Sequence, residues 1–82
     1  MTPGLRAWLI KCRDHWPANR ARGNVGYRAM AEGLTEWNYV DAEGNNLTFD
    51  EAKQRFGDAC WDHVTSNGER ITERGLKALE NE

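Results

Sequence analysis

The sequence lacks any long apolar stretch. Its longest run of apolar residues is only four, the Ala-Trp-Leu-Ile at 7–10, whereas a helix that spans a bilayer needs about 20. The N-terminus also lacks the apolar region of a signal peptide, so we expect a cytoplasmic protein with no membrane partner. Cysteine is scarce as well, and two cysteines in that compartment are expected to be free thiols. These absences exclude a transporter and a secreted protein.

The chain is short but carries enough apolar residues for a core. Its 82 residues leave no room for a second domain, so we expect residues 1–82 to form a single domain. Hydrophobic residues make up 39 % and charged residues 29 %, which is typical of a globular domain. Four tryptophans offer the largest buried areas, and aromatic residues are expected to dominate the core.

Acidic residues are nearly absent from the first 31 residues. Asp14 is the one acid there, against six lysines and arginines, which makes a net charge of +5. Residues 32–82 hold twelve acids and five bases, so their net charge is −7 and that of the whole chain −2. This asymmetry predicts one basic and one acidic face. The alternative is that the two halves pair with each other within the fold.

The N-terminal half predicts two helices. The first covers 4–16, with Thr2 as N-cap, Pro3 at the first helical position and Pro17 as its stop. Its apolar stripe consists of Leu5, Trp8, Leu9, Cys12 and Trp16. Residues 17–23 are expected to form a loop or at most one turn. A second helix over 25–33 would be capped by Asn24 and stopped by Gly33. Its apolar face would consist of Tyr27, Met30, Ala31 and Leu34.

The middle of the chain predicts a strand followed by a helix. Residues 35–40 are rich in strand formers, and 41–46 are typical of a turn. Thr48 and Glu51 match the capping box of a helix over 49–56, which Gly57 would end. One side of that helix would consist of Phe49, Ala52 and Phe56.

The C-terminal part predicts a turn, a short strand and a last helix. Residues 58–65 fit a helical turn or a strand, and Ser66-Asn67-Gly68 is a strong turn signal. A short strand at 69–71 would lead to a helix over 73–81, capped by Thr72, with Leu76 and Leu79 facing inward. The residues expected to be largely buried are Trp8, Leu9, Tyr27, Met30, Trp37, Phe56 and Leu76.

Two segments resemble parts of a winged helix-turn-helix domain. Residues 30–37 (Met-Ala-Glu-Gly-Leu-Thr-Glu-Trp) are similar to the end of a recognition helix and the step into the first wing strand. Residues 68–75 (Gly-Glu-Arg-Ile-Thr-Glu-Arg-Gly) are similar to the second wing strand and the start of the closing helix. The resemblance covers about 25 residues and implies a small domain of bacterial or phage regulators. We therefore predict an α+β fold that is mainly helical and winged-helix-like, with three to four short helices and a small β-hairpin or wing.

The basic stretch around the second helix predicts a nucleic-acid site. Arginines on a loop before a helix can neutralise phosphates, and Asn or Arg side chains can read base edges. The predicted contact residues are Arg20, Arg22, Asn24, Tyr27 and Arg28.

A repeated Cys-x-Asp-His pattern contains the residue types of a zinc site. Its thiols and imidazoles would supply four ligands of the kind tetrahedral zinc prefers: Cys12, His15, Cys60 and His63. The alternative is that Cys12 is a small apolar member of the first helix's stripe, and we expect no metal and no cofactor. A cysteine nucleophile needs a base and an oxyanion site, and neither is evident, so we do not expect an enzyme.

The sequence thus predicts a small macromolecule-binding domain, with DNA as the foremost partner through residues 20–28. An alternative is a protein-interaction module, of the kind phages encode, that acts through its acidic C-terminal half. A third is a small structural zinc domain. The sequence leaves the oligomeric state open.

Overall fold

A computed structural model describes residues 1–16, 18 and 25–81. Its helices are α1 (Pro3–Asp14), α2 (Val25–Ala31), α3 (Phe49–Phe56) and α4 (Glu73–Glu80), with a 3₁₀ helix at Gly57–Asp62. Its strands are β1 (Thr35–Asp41), β2 (Asn46–Leu47) and β3 (Val64–Ile71). They form an antiparallel sheet in the order β2-β1-β3. The predicted α+β class, mainly helical with a small wing-like sheet, is confirmed, and the order of elements is consistent with a winged-helix-like layout.

α1 forms where its capping residues and apolar spacing predict it. The Thr2 hydroxyl accepts a hydrogen bond from the Leu5 N–H at 3.2 Å, and Pro3 occupies the first turn. The helix ends at Asp14, two residues earlier than predicted. Trp16 therefore lies beyond the helix and is 40 % exposed, so it does not extend the buried stripe. The buried residues of that stripe are Leu5, Trp8, Leu9 and Cys12.

The buried face of α2 differs from the predicted one. The helix buries Gly26 and Ala29, while Tyr27 is 63 % exposed and Met30 is half-buried. Glycine and alanine have small side chains, so they allow the backbone of α2 to approach its neighbours closely, and the larger Tyr27 points outward. The predictions for residues 19–24, including Asn24 as N-cap, lie outside the described residues.

The two segments that resemble a winged helix meet at one junction in the fold. Gly33 has a φ of +74° and ends α2, as predicted, and its carbonyl accepts a hydrogen bond from the Thr72 hydroxyl at 2.6 Å. The Thr72 N–H donates to the Leu34 carbonyl at 3.1 Å, and its hydroxyl also caps α4 by accepting from the Gly75 N–H. A Cβ on Gly75 would collide with the backbone carbonyl oxygen of Leu34. Gly75 thus permits the close contact between the start of β1 and the start of α4.

The predicted turn Ser66-Asn67-Gly68 is wrong, because these residues lie inside β3. Thr35 to Trp37 pair with Ile71 to Glu69, and Tyr39 to Asp41 pair with Ser66 to Val64, so the register shifts by one residue near Asn38. The extra residue on β3 forms a bulge, in which Gly68 has a φ of +74°. Gly68 thus adopts a left-handed conformation, as a glycine in a turn can, but it forms part of a bulge and not of a turn.

The connection between β1 and β3 contains β2, α3 and the 3₁₀ helix. The predicted capping box of α3 is confirmed: the Thr48 hydroxyl accepts from the Glu51 N–H at 3.1 Å, and the Glu51 carboxylate accepts from the Thr48 N–H at 2.9 Å. Gly57 ends α3, as predicted. Residues 58–65, which fitted either a helical turn or a strand, divide between the 3₁₀ helix and the start of β3.

The core consists of two clusters of buried apolar residues. The first joins α1 to α2 and the start of β1, with α4 packed against it: Leu5, Trp8, Leu9, Cys12, Ala18, Ala29 and Leu34. The second lies under α3 and the 3₁₀ helix: Tyr39, Leu47, Ala52, Cys60 and Val64. The molecule measures 38 × 24 × 20 Å along its principal axes, so it is elongated.

The predicted core is partly wrong. Trp8 and Leu9 are buried, and Met30 and Phe56 are half-buried. Tyr27, Trp37 (38 % exposed) and Leu76 (37 % exposed) are exposed instead. β1 is the central strand of the sheet. Buried and exposed side chains do not alternate along it, because Asn38, whose amide is hydrogen-bonded, is fully buried. In α4, the residues that face the first cluster are Gly75, Ala78 and Leu79, and Leu76 lies at the edge.

The Asp41 carboxylate organises the predicted turn at 41–46. It accepts hydrogen bonds from the backbone N–H groups of Glu43 (3.0 Å) and Asn45 (2.8 Å), and it forms a 2.9 Å ion pair with Arg55 of α3. These interactions, the Asn45 backbone hydrogen bond foremost, hold the pKa of Asp41 below its ordinary value, although burial opposes them. Asp41 therefore ties the hairpin to α3.

The lowered pKa of Asp41 predicts a pH dependence of stability. A carboxyl whose pKa is lower in the folded state stabilises the fold above its unfolded pKa of about 3.9, and this stabilisation is lost as pH falls through the folded pKa. We expect Asp41→Asn to be less stable than the wild type at neutral pH and to lose less stability on acidification.

Thermal unfolding followed by circular dichroism between about pH 7 and 2 measures this difference. Arg55→Ala is the matched variant. Because the largest influence on the Asp41 pKa is the Asn45 N–H, Arg55→Ala should keep most of the wild-type pH dependence. Identical pH profiles for Asp41→Asn and the wild type would contradict the assignment.

Candidate functional site

Two of the five predicted nucleic-acid contacts lie within the described residues. Tyr27 and Arg28 are both exposed on α2. They occupy the outward side of the helix because Gly26 and Ala29 occupy the inward side. The other three, Arg20, Arg22 and Asn24, lie outside the described residues.

Arg28 is held only weakly by the rest of the fold. Its guanidinium lies 3.8 Å from the Glu32 carboxylate, one turn further along the chain, and both side chains are exposed. Solvated ion pairs at this spacing contribute about 0.3–0.5 kcal/mol. The guanidinium can therefore leave Glu32 for a phosphate or a base at little cost.

The residues on either side of 19–24 belong to the described part of the chain. Ala18 pairs with Glu69 of β3 through two backbone hydrogen bonds of 2.9 and 3.0 Å. Beside it, the Arg70 guanidinium lies 4.4 Å from the centre of the Trp16 ring. At the other end, α2 begins at Val25. In the sequence, Arg20 and Arg22 therefore lie between Ala18, which pairs with β3, and the start of α2.

Cationic side chains also line the exposed surface of α1. Arg6, Lys11 and Arg13 are all exposed. Arg13 forms a bidentate pair with its neighbour Asp14, with N···O distances of 2.7 and 2.9 Å, and this hydrogen bonding lowers the pKa of Asp14. The one acid of the basic half is therefore paired within α1.

The alternative in which the two charged halves pair internally predicts contacts of the basic segment with Glu36, Glu43, Asp50 or Glu51. Of the arginines concerned, Arg28 is the one that is described, and its ion pair is with Glu32, the residue directly after its helix. Glu36 instead lies opposite Arg70 across the β1–β3 ladder. The described contact of Arg28 is thus with a near neighbour in the chain and involves none of those four acids.

A cluster of three aromatic rings, which the residue spacing does not predict, lies at the second core cluster. Tyr39, Phe49 and Trp61, hereafter the aromatic triad, have ring centres 5.5–6.2 Å apart. Tyr39 is buried, whereas Phe49 is 42 % and Trp61 57 % exposed. The sequence groups Phe49 with Ala52 and Phe56 on one side of α3, and of these three Ala52 is buried while Phe49 is exposed. The signal that could have indicated a surface is that each exposed ring directly precedes an aspartate, Asp50 or Asp62.

The surroundings of the triad are acidic. Residues 41–63 contain six carboxylates and two cations. Both cations are paired locally, Lys53 with Asp58 and Arg55 with Asp41, each at 2.9 Å. Asp50 and Asp62 are exposed and form no ion pair with any described residue. The triad is thus an exposed apolar surface bordered by negative charge.

The structure does not bring the four zinc-ligand candidates together. Cys12 lies in the first core cluster and Cys60 in the second, while His15 and His63 are exposed, and His63 stacks on Phe56 at 4.7 Å. Across residues 1–16, 18 and 25–81, no group of three or more His, Cys, Asp or Glu side chains could hold a metal ion. The apolar role considered for Cys12 agrees with its position in the core.

Comparisons with known proteins supply no relative. No family model, no curated protein and no solved structure matches the chain. Within the described part of the chain, no helix is long and apolar enough to cross a membrane.

Proposed function

We propose that the protein is a cytoplasmic DNA-binding domain that uses residues 20–28, with α2 as the helix that contacts the bases. It acts by binding and not as an enzyme. The observation that carries the proposal is the orientation of α2, which buries Gly26 and Ala29 and exposes Tyr27 and Arg28. A helix that reads the major groove needs this arrangement, with long polar side chains on the outward face.

Three further observations support this proposal. The resemblance to winged helix-turn-helix domains rests on segments 30–37 and 68–75, and these meet at the Thr72 junction. That junction fixes the C-terminal end of α2 against the sheet. Five of the eleven cations lie at residues 6–22, three of them on α1 and two in the sequence between α1 and α2. Cations at that position can neutralise phosphates on either side of a groove.

The test is binding of fluorescent duplex DNA measured by anisotropy at several salt concentrations. We expect Arg20→Ala and Arg22→Ala to weaken binding to all sequences and to flatten the salt dependence by about one unit per lost phosphate contact. We expect Arg28→Ala to reduce discrimination between sequences by about 1–3 kcal/mol at one base pair.

Lys77→Ala is the matched control for Arg28→Ala. The Lys77 ammonium is exposed and lies 3.7 Å from the Glu73 carboxylate, one turn away on α4. Lys77 therefore matches Arg28 in exposure and in its weak ion pair, but it lies on a different helix. This variant should bind DNA as the wild type does. Absence of DNA binding at low salt, or equal losses for Lys77→Ala and Arg28→Ala, would refute the proposal.

A further inference from the structure

We infer that the aromatic triad is a docking site for an arginine-bearing segment of a protein partner, with the guanidinium stacked on Phe49 and Trp61 and paired with Asp50 or Asp62. This site is separate from the proposed DNA-binding residues 20–28. It gives the acidic half of the chain a function of its own.

The chemistry of the site is that of an aromatic surface beside unpaired carboxylates. Phe49 and Trp61 lie 5.7 Å apart, and each is followed by an exposed aspartate. A guanidinium stacks on aromatic faces and donates to carboxylates in its own plane, so it satisfies both groups at once. Tryptophan is also among the residues that contribute most to binding at protein interfaces.

The protein itself contains an example of this recognition. Arg55 lies 5.2 Å from the centre of the Phe56 ring and donates to the Asp41 carboxylate at 2.9 Å. One arginine thus uses an aromatic ring and an aspartate together. The triad offers the same pair of groups, yet no described cation lies over Phe49 or Trp61.

The charges around the triad favour a positively charged partner segment. Burial raises the pKa of Glu36 of β1 most, Arg70 lowers it, and repulsion from the charges of Asp50 and Glu51 raises it further. A partner segment with arginine relieves this repulsion, whereas an acidic segment or a nucleic acid increases it. A depression of about 260 Å³ beside Trp61, lined also by Val40 and Asp62, can accept a neighbouring side chain of the partner.

The test uses a short labelled peptide in which two arginines are flanked by leucines. Its control is the same peptide with citrulline, the uncharged analogue of arginine, at both positions. We expect the arginine peptide to bind at micromolar to submillimolar concentration and the citrulline peptide at least about tenfold more weakly. Binding of the arginine peptide should weaken as salt rises.

Variants of the full chain distinguish specific binding at the triad from general electrostatic attraction of the peptide to an acidic surface. Trp61→Ala should weaken binding about tenfold, and the double change Asp50→Asn with Asp62→Asn should do the same. Glu73→Gln, which removes an exposed acid from α4, should change binding less than about twofold. Circular dichroism checks that Trp61→Ala is folded, and the double aspartate variant tests the site without removing a ring.

Three results would overturn the inference. One is no peptide binding at about 1 mM. Another is binding that falls with the aspartate variants but not with Trp61→Ala, since general electrostatics would then explain it. The third is self-association of the wild type that Trp61→Ala abolishes in sedimentation experiments, because the occupant would then be a second copy of this chain. The test uses no nucleic acid, so its outcome is independent of the proposed DNA binding.

Discussion

Gly75→Ala is expected to lower the free energy of unfolding by about 3 kcal/mol or more. The added Cβ would overlap the Leu34 carbonyl oxygen and lie 2.6 Å from Cγ1 of Ile71. The first of these atoms is backbone and accepts a hydrogen bond from the Thr72 N–H, so it cannot move away without breaking the junction. The higher helix propensity of alanine returns at most about 1 kcal/mol.

Gly4→Ala provides the matched control for this change. Gly4 also lies in a helix, but apart from its chain neighbours and its own helix backbone, no heavy atom of the described residues lies within 4 Å of a Cβ placed there. We expect this variant to be as stable as the wild type or more stable by about 0.5–1 kcal/mol. The measurement is urea unfolding followed by circular dichroism. If Gly75→Ala and Gly4→Ala unfold at similar urea concentrations, the packing described at the Thr72 junction is incorrect.

Trp8→Ala is expected to cost about 3–5 kcal/mol, as for the removal of a large core aromatic side chain. Trp8 is 5 % exposed and belongs to the first core cluster, with Leu9 and Cys12 beside it on α1. A domain of this size has a net stability of about 5–15 kcal/mol. Thermal unfolding should therefore shift downward by more than about 12 °C.

Two further variants define the origin of this effect. The Trp8 indole N–H is buried and has no hydrogen-bond partner among the described residues. Trp8→Phe therefore removes a polar group that is costly to bury, and it should cost much less than Trp8→Ala. Trp61→Ala removes an equally large but 57 % exposed ring and should cost less than about 1.5 kcal/mol. Equal losses for Trp8→Ala and Trp61→Ala would contradict the assignment of Trp8 to the core.

The helix starts could be predicted from the sequence because their causes are local. Thr2, Thr48 and Thr72 each accept a hydrogen bond from a backbone N–H three residues later, at 3.1–3.2 Å. Such a cap depends on the residue type at one position and a short helix after it. The turn at 41–46 was predictable for the same reason, since Asp41 contacts its own neighbours Glu43 and Asn45.

Features that depend on distant partners could not be predicted in the same way. Gly68 adopts the left-handed conformation that a turn signal implies, but pairing with β1, some 30 residues earlier, makes it part of a bulge. On α2, Gly26 and Ala29 contribute little to a hydrophobic pattern, so Tyr27 and Met30 dominated the assignment of its face. Gly26 and Ala29 face inward because α2 packs with this side against the rest of the fold, and the spacing of apolar residues alone does not show this.

The candidate sites show the same limit. The exposure of Tyr27 and Arg28 follows from the packing of α2, whereas the apolar spacing predicted Tyr27 on the buried face. The aromatic triad joins Tyr39 of β1 to Phe49 of α3 and Trp61 of the 3₁₀ helix. Residue spacing shows neither the geometry of the triad nor that Asp50 and Asp62 form no ion pair with the residues described.

The bulge in β3 has a consequence for how the chain folds. Asp41 and Val64 pair across 23 positions, whereas Thr35 and Ile71 pair across 36, so the entropy cost of loop closure is lower at the Asp41 end. The capping box of α3 and the Asp41 turn can form before that closure, which shortens the flexible part of the loop further. The ladder is therefore expected to begin at Asp41 and Val64 and to extend toward the helical end of the molecule. On that path the pairing must shift by one residue at Asn38, and a ladder that extends without the shift becomes a misregistered intermediate that has to reopen.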